Sequence, residues 1–372
     1  MAEYDHMAEL GLVEDKQLIC SDVGFITRND PLRGLCEEYI RNGGRLYDIL
    51  SRYDLVISYA LSRADGNCGN VCKRMVPILM ANGITDSGAY ATCKKNLEYM
   101  PGAKQVFTYL SKQLPTFICT ETYGHQMMLL SEEMDIPMDH ISCNTFMFED
   151  MELHKPEARK LREIIPQFAN MRLSDEKYTI SESRFLTYDD NELIDIVDKE
   201  LIKPMDKMDI MEAARNALKV SGNEKAYAVL ELCRKNEIHM SDTAFIGTRD
   251  SDFAAMDIVR DSAGLALSFC GSEYAVRGCN VAVLSDRPIV AAVLVNEFYN
   301  GGIQSVMEMI DHWTPDGLRE WPCADRHLMN EMLAEFPNGL PEVYKVDVSN
   351  RREIAKKSIE FANPGMSTIK SF

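Results

Sequence analysis

The stretch Asp242-Thr-Ala-Phe-Ile-Gly-Thr-Arg-Asp-Ser-Asp-Phe253 decides the fold. Its apolar centre, Thr243 to Ile246, is too short for a helix and is bounded by polar residues, so it predicts a buried strand. Gly247 opens a turn, two carboxylates follow at Asp250 and Asp252, and an apolar helical pattern begins behind them. Ligands of open α/β sheets bind beyond the carboxyl ends of the strands, which is where these acids fall. They could supply oxygens to a hard cation such as Mg²⁺. They could equally be an acidic helix N-terminus favoured by the helix dipole.

Working outward, Leu18–Cys20, Thr116–Cys119, Leu265–Phe269 and Val281–Leu284 are further short apolar runs with polar borders. Between the second strand and the Thr243 strand, Lys225–Asn236 places Ala226, Val229, Leu230 and Cys233 at helical spacing. Alternating strands and helices predict an α/β fold, a doubly wound parallel sheet. Two long segments interrupt it, with helix-like patterns at Leu35–Ser51, punctuated by Gly43 and Gly44, and at Lys73–Met80, and with a short strand expected at Lys177–Ile180. The expected division is a core of 15–34, 116–122 and 223–286; a mainly helical insertion at 35–115; a second insertion at 123–222; and a C-terminal extension, 287–372, packed on the core. In that extension Ile289–Val295 reads as an apolar run and Gly302–His312 as a helix.

Composition narrows the function. Forty Lys and Arg against 58 Asp and Glu give a formal charge of -18, which repels polyphosphate backbones and argues against a nucleic-acid partner. No apolar run approaches the roughly 20 residues that span a bilayer, and Met1–Glu14 carries acids where a signal peptide carries cations, so the expected location is cytoplasmic, with no membrane. Eleven cysteines at irregular spacing read as reduced core thiols. Cys68 and Cys72 alone look paired, a weak metal signal against two thiols one helical turn apart. The 22 methionines read as adaptable core filler.

The first strand runs into Asp22 within Leu18-Ile-Cys-Ser-Asp-Val-Gly-Phe-Ile-Thr27. A carboxylate there could attack an electrophile or cap a turn. Thr120, at the end of the second strand, could donate to a phosphate oxygen or cap the next helix. Lys225 opens a helix, where cations are disfavoured by the dipole, and so could serve a bound anion. The order strand-Asp, strand-Thr, helix-Lys, strand-Gly-x-x-Asp-x-Asp resembles the haloacid dehalogenase-like (HAD) superfamily. Asp22 matches the nucleophile, Thr120 the second motif, Lys225 the third and Asp252 the metal-binding acid of the fourth. More narrowly, the Asp22 turn and Ser272-Glu-Tyr-Ala-Val-Arg-Gly-Cys-Asn-Val-Ala-Val-Leu-Ser285 are similar to an archaeal HAD-like group that carries the name energy-converting hydrogenase A subunit R.

The resemblance implies a Rossmannoid core with helical caps, a Mg²⁺ cofactor held by Asp22, the Gly24 carbonyl, Asp250 and Asp252, and a small phosphorylated substrate attacked through an aspartyl-phosphate. Two departures stand out. The second acid of the first motif is absent, with Gly24 in its place or one residue lost, and Thr248 stands where many members have the first acid of the fourth motif. A positioned general acid contributes about 10²- to 10⁴-fold, so a cap residue such as Asp65, Glu121 or His125 would have to replace it. Three readings follow: a phosphohydrolase or phosphotransferase with Asp22, Thr120 and Lys225 as catalytic residues; a phosphonatase- or dehalogenase-type hydrolase, the former needing a cap lysine such as Lys73, Lys94 or Lys95; and an inactive protein binding a phosphate-bearing ligand or a protein partner. A homo-oligomer is compatible with all three. The other histidines have no ligand-like spacing, and Trp313 and Trp321 fit either an interaction patch or a packed extension.

Overall fold

The computed structural model describes residues 15–171, 173 and 186–362. Seven strands form one sheet: β1 (Gln17–Cys20), β2 (Thr116–Tyr123), β3 (Ile141–Asn144), β4 (Thr243–Gly247), β5 (Leu265–Phe269), β6 (Val281–Leu284) and β7 (Glu342–Lys345). Their order is β3-β2-β1-β4-β5-β6-β7. The first six pair in parallel and β7 closes one edge antiparallel to β6. The chain is therefore an α/β protein with a mostly parallel, doubly wound sheet and helical insertions. β1 is central and aligns Cys20 with both Ile118 and Ile246. The carboxyl ends of β1, β2 and β4 thus lie side by side where the strand order reverses, the position at which such sheets bind ligands.

Period-two alternation sorts the side chains onto two covered faces. Leu18, Cys20, Ile118, Ile246, Leu267 and Val283 pack against helices Ala103–Gln113, Gly124–Met134 and Ile289–Asp311. Ile19, Phe117, Cys119, Phe245, Ala266 and Ala282 pack against Gly222–Asn236, Phe253–Asp261 and Arg351–Ala362. The two C-terminal segments expected at Ile289–Val295 and Gly302–His312 form one helix kinked at Gly302, whose φ is 70°. Trp313 donates its indole N–H to the Pro341 carbonyl at 2.9 Å, within the extension.

A third core lies off the sheet. Helices Pro31–Tyr39, Gly43–Leu55, Val71–Ala81 and Asp86–Asn96 bury their apolar sides together with Lys155–Ile164, Tyr188–Val197 and Asp209–Ala217. The two insertions thus share one core. Arg52 grips Asp190 bidentately at 2.8 and 2.7 Å with both side chains buried, and Arg63 reaches Asp198 at 2.7 Å. The first insertion leaves and re-enters beside β1, where Arg28 N–H donates to the Glu98 carbonyl at 2.7 Å and Met100 N–H to that of Ile26 at 2.9 Å. This places the helical body over the carboxyl end of the sheet.

Residues 97–115 and 123–144, expected in the insertions, supply helices and a strand to the sheet layers. β3 reads Ile-Ser-Cys-Asn and β7 Glu-Val-Tyr-Lys; both are edge strands too polar to stand out as apolar runs. The strand expected at Lys177–Ile180 lies outside the described residues. Among the described residues no helix is long and apolar enough to cross a membrane.

Candidate active site

Asp22 sits two residues past β1 in a tight turn. Ile26 and Thr27 both donate backbone N–H groups to its carbonyl, at 2.8 and 2.9 Å. Gly24 has φ 89°, a left-handed conformation that favours glycine. The Asp22 carboxylate is buried and accepts from Thr120 Oγ1 at 2.6 Å, Thr122 Oγ1 at 3.2 Å and Gln126 Nε2 at 3.5 Å. Burial pushes its pKa up; the Thr120 hydrogen bond opposes this, Glu121 adds to the rise, and Lys225 opposes it weakly.

The alternation of β2 explains what surrounds it. Thr120 and Thr122 face Asp22, while Glu121 points to the opposite face of the sheet, the side on which helix Gly222–Asn236 packs. That helix supplies Lys225, which is fully buried. Its Nζ contacts Asp252 Oδ1 at 2.7 Å, pairs with Glu121 Oε2 and donates to Ser251 Oγ at 3.2 Å. Burial alone would lower the Lys225 pKa, but Asp252 and Glu121 together hold it above its ordinary value. For Glu121, burial is outweighed by Lys225 and Arg249, which keep it ionised well below the usual carboxylate range.

Asp252 is saturated. Oδ1 also accepts from Ser21 Oγ at 2.6 Å, and Oδ2 accepts the backbone N–H groups of Thr248 and Arg249 at 2.8 and 2.9 Å. Arg249 pairs with Asp30 at 2.9 Å and Glu121 at 3.4 Å and donates to the Tyr47 hydroxyl at 2.5 Å, joining the sheet edge to the first insertion. Asp250 turns elsewhere: its carboxylate accepts the Tyr274 N–H at 3.1 Å, and burial pushes it up to about 6 despite hydrogen bonds from Ser272 and Tyr274. Thr248 Oγ1 donates to the Val23 carbonyl at 2.5 Å.

Asp22 and Thr120 therefore share one hydrogen-bonded set and Lys225 and Asp252 a second; Ser21 and Glu121, the chain neighbours of Asp22 and Thr120, belong to the second and bring the two side by side, while Asp250 belongs to neither. The cluster does not fit the expected Mg²⁺. Asp252 has both oxygens engaged, Asp250 is committed to the 272–274 turn, and Thr248, standing where an acid was expected, spends its hydroxyl on the Val23 carbonyl. Among the described residues no group of three or more His, Cys, Asp or Glu side chains is arranged to hold a metal ion. Cys68 and Cys72 are both buried, with burial raising both thiols.

The proposed substitute acids are engaged as well. Asp65 is an exposed partner of Arg63. His125 Nε2 contacts Asp86 Oδ1 at 2.7 Å, with its ring stacked on Phe148. Glu121 is the counter-ion just described. Of the cap lysines, Lys73 pairs with Glu224 at 2.8 Å and Lys95 with Glu38 at 3.0 Å, and Lys94 is exposed. Sequence reasoning missed Ser21, Thr122, Gln126, Arg249 and Ser251 as members of the cluster. Thr122 and Gln126 carry a usable signal, since i, i+2 spacing on a strand repeats the Thr120 face and the following helix turn returns to it.

No family model matches the chain and no curated protein is similar to it. Gene product AF1437 from Archaeoglobus fulgidus superposes with a TM-score of 0.73 at 17% identity, over 96% of this chain and 98% of that one. The two share one fold across nearly their whole lengths. A phospho-aspartyl intermediate analogue of phosphoserine phosphatase gives a TM-score of 0.44 at 10% identity over 72% of this chain and 93% of that one. HAD family hydrolase t0658 from Salmonella enterica serovar Typhi gives 0.39 at 12% identity over 72% of each chain.

Proposed function

We propose that this is a HAD-like protein that acts by binding a protein partner and does not turn over phosphoesters. The observation that carries the reading is the placement of Lys225 between Asp252 and Glu121. The cation expected to neutralise a phosphoryl group is already neutralised, and the Thr120 hydroxyl expected to hold that group donates to Asp22 instead. Asp30, Glu121 and Asp252 already share Lys225 and Arg249, and Asp22 adds a further buried carboxyl group, so an incoming phosphate dianion meets excess acid in a desolvated setting. Loss of the second motif-one acid removes the group that would protonate a leaving oxygen.

A second reading, phosphoryl transfer through Asp22, is favoured by the convergence of Asp22, Thr120, Lys225 and Asp252 at the ligand-binding edge of the sheet. The narrower resemblance to the archaeal group rests on the Asp22 turn and residues 272–285 alone. Phosphate release from a panel of phosphomonoesters, acyl phosphates and phosphonates with Mg²⁺, in the wild type and Asp22→Asn, separates the readings. The expected result is no release from either protein and no rise in Tm with inorganic phosphate or phosphoserine. Release by the wild type that vanishes in the variant would establish the second reading.

A further inference from the structure

We propose that the outer side of the helical body carries a docking groove for an amphipathic helix of a protein partner, one with acid along one flank of its apolar stripe and base along the other. The proposal rests on the reading that this chain acts by binding a protein, and it names the surface and the partner's chemistry. The groove has a volume of about 920 Å³ and is open to solvent. It lies between the end of helix Val71–Ala81, the stretch 149–153 and one face of helix Lys155–Ile164. Ala81 and Ile84 are buried in its floor, and Met80, Met151 and Leu153 are half-buried there, packed on the third core. Methionine is flexible and polarisable, which suits a floor that receives another protein's side chains. No strand lines the groove, so an extended segment would find no ladder to join, whereas apolar residues at i, i+3, i+4 and i+7 of a helix can fill such a floor.

The charges that line the groove sort by segment. Glu149, Asp150 and Glu152 supply the acids, while Lys155, Arg159 and Arg162 supply the bases from one helix face, as their i, i+4, i+7 spacing requires. Among the described residues no ion pair joins the two sets. Arg159 pairs with Glu163 of its own helix at 2.9 Å, Glu152 pairs with His154 at 3.4 Å, and Arg162 donates to the Ala81 carbonyl at 2.9 Å. Lys155 makes no ion pair among the described residues and opens its helix, where the dipole opposes a cation. A lysine held there against the dipole, beside an apolar floor, is matched by an acid on an incoming surface. A partner of one sign would be drawn by one set and repelled by the other; a helix with both signs satisfies the two together, and the arrangement fixes its direction.

The test selects a phage-displayed library of random helical peptides on the full-length wild type. The enriched peptide is then synthesised, and its affinity is measured by fluorescence anisotropy for the wild type, Lys155→Glu/Arg159→Glu and Asp150→Lys/Glu152→Lys. All four positions are exposed, and Lys155→Glu suits the helix start better than the native residue, so lost binding does not mean lost folding. Expected are enriched peptides with acid and base on opposite flanks of an apolar stripe and a loss of more than about tenfold in each double variant. Exchanging the peptide's acids for lysines should restore its binding to Lys155→Glu/Arg159→Glu. No enrichment, or peptides that bind all three proteins equally, would overturn the groove while leaving the protein-partner reading standing. Dimerisation of the wild type in sedimentation that the same variants abolish would overturn it in favour of a second copy of this chain. Phosphate release that Asp22→Asn abolishes would sink the non-catalytic reading without touching the peptide result.

Discussion

Lys225 Nζ lies 2.7 Å from Asp252 Oδ1, and neither residue exposes any surface. Removing one member of a buried ion pair strands the other, which typically costs about 3–5 kcal/mol. Lys225→Met leaves Asp252 without its cation and Glu121 with Arg249 alone, so urea unfolding should show a loss in that range at pH 7. The deficit should shrink on acidification, as the carboxylates that lost the lysine become protonated. A deficit below about 1 kcal/mol would show that the three groups are not coupled as described.

Asp22→Asn should stabilise the protein at neutral and alkaline pH. The folded-state pKa of Asp22 is raised chiefly by burial, so its contribution to stability is present below the unfolded pKa and is lost as pH rises through the folded one. The variant lacks that loss and keeps an oxygen for Thr120 to donate to. Thermal melts from pH 4 to 8 check this; curves that stay parallel across the range would contradict it.

Asp250 has the same sign with a value attached. Its pKa rises from 3.8 to about 6, so stability should fall across about pH 4 to 6 by about 3 kcal/mol. Asp250→Asn should flatten that part of the profile, since an amide oxygen still accepts the Tyr274 N–H. An unchanged slope would place the titration elsewhere.

Gly222→Ala should loosen the seam between sheet and helical body. Gly222 N–H donates to the Cys68 carbonyl at 2.7 Å, and a Cβ would stand 2.4 Å from that oxygen. Asn67 meanwhile accepts the Asn223 N–H at 2.9 Å, satisfying a free donor at the helix start, a contribution worth about 0.5–2 kcal/mol. Hydrogen exchange should quicken at residues 66–70 and 222–225 in Gly222→Ala and less so in Asn67→Ala. Equal, unchanged protection in both would mean the seam is held elsewhere.

Arg52→Ala should unfold the helical body before the sheet. It leaves Asp190 buried without its bidentate partner, again about 3–5 kcal/mol. Fluorescence of Trp313 and Trp321, both in the C-terminal extension, should then report a later transition than far-ultraviolet circular dichroism. Coincident transitions would show that the third core has no independent stability.

The central strands were legible because β1, β2, β4, β5 and β6 are buried on both faces and read as apolar runs. Edge strands β3 and β7 were not, because one side of each needs no apolar cover. Asp22, Thr120 and Asp252 could be picked out because strand ends project to one edge, and Lys225 because it stands in the first turn of a helix. Their chemistry could not, because it depends on pairings between segments far apart in the chain. Glu121 is the clearest case: its neighbour Thr120 marked the site, yet only the packing of Lys225 on the opposite face turns it from a replacement acid into a counter-ion. Asp250 failed for the converse reason, since two residues along a turn suffice to send its carboxylate to Tyr274.

The shared core of the two insertions bears on how the chain assembles. The Arg52–Asp190 pair joins positions 138 residues apart, with β2 and β3 made in between. The first insertion therefore emerges with its apolar helix faces uncovered and waits for the rest of the sequence. Long-range contacts of this kind slow folding and lengthen the exposure of such surfaces. For this protein the vulnerable interval is the time between synthesis of helix Gly43–Leu55 and helix Tyr188–Val197, and a chain truncated within it would present an unfinished lid rather than a smaller domain.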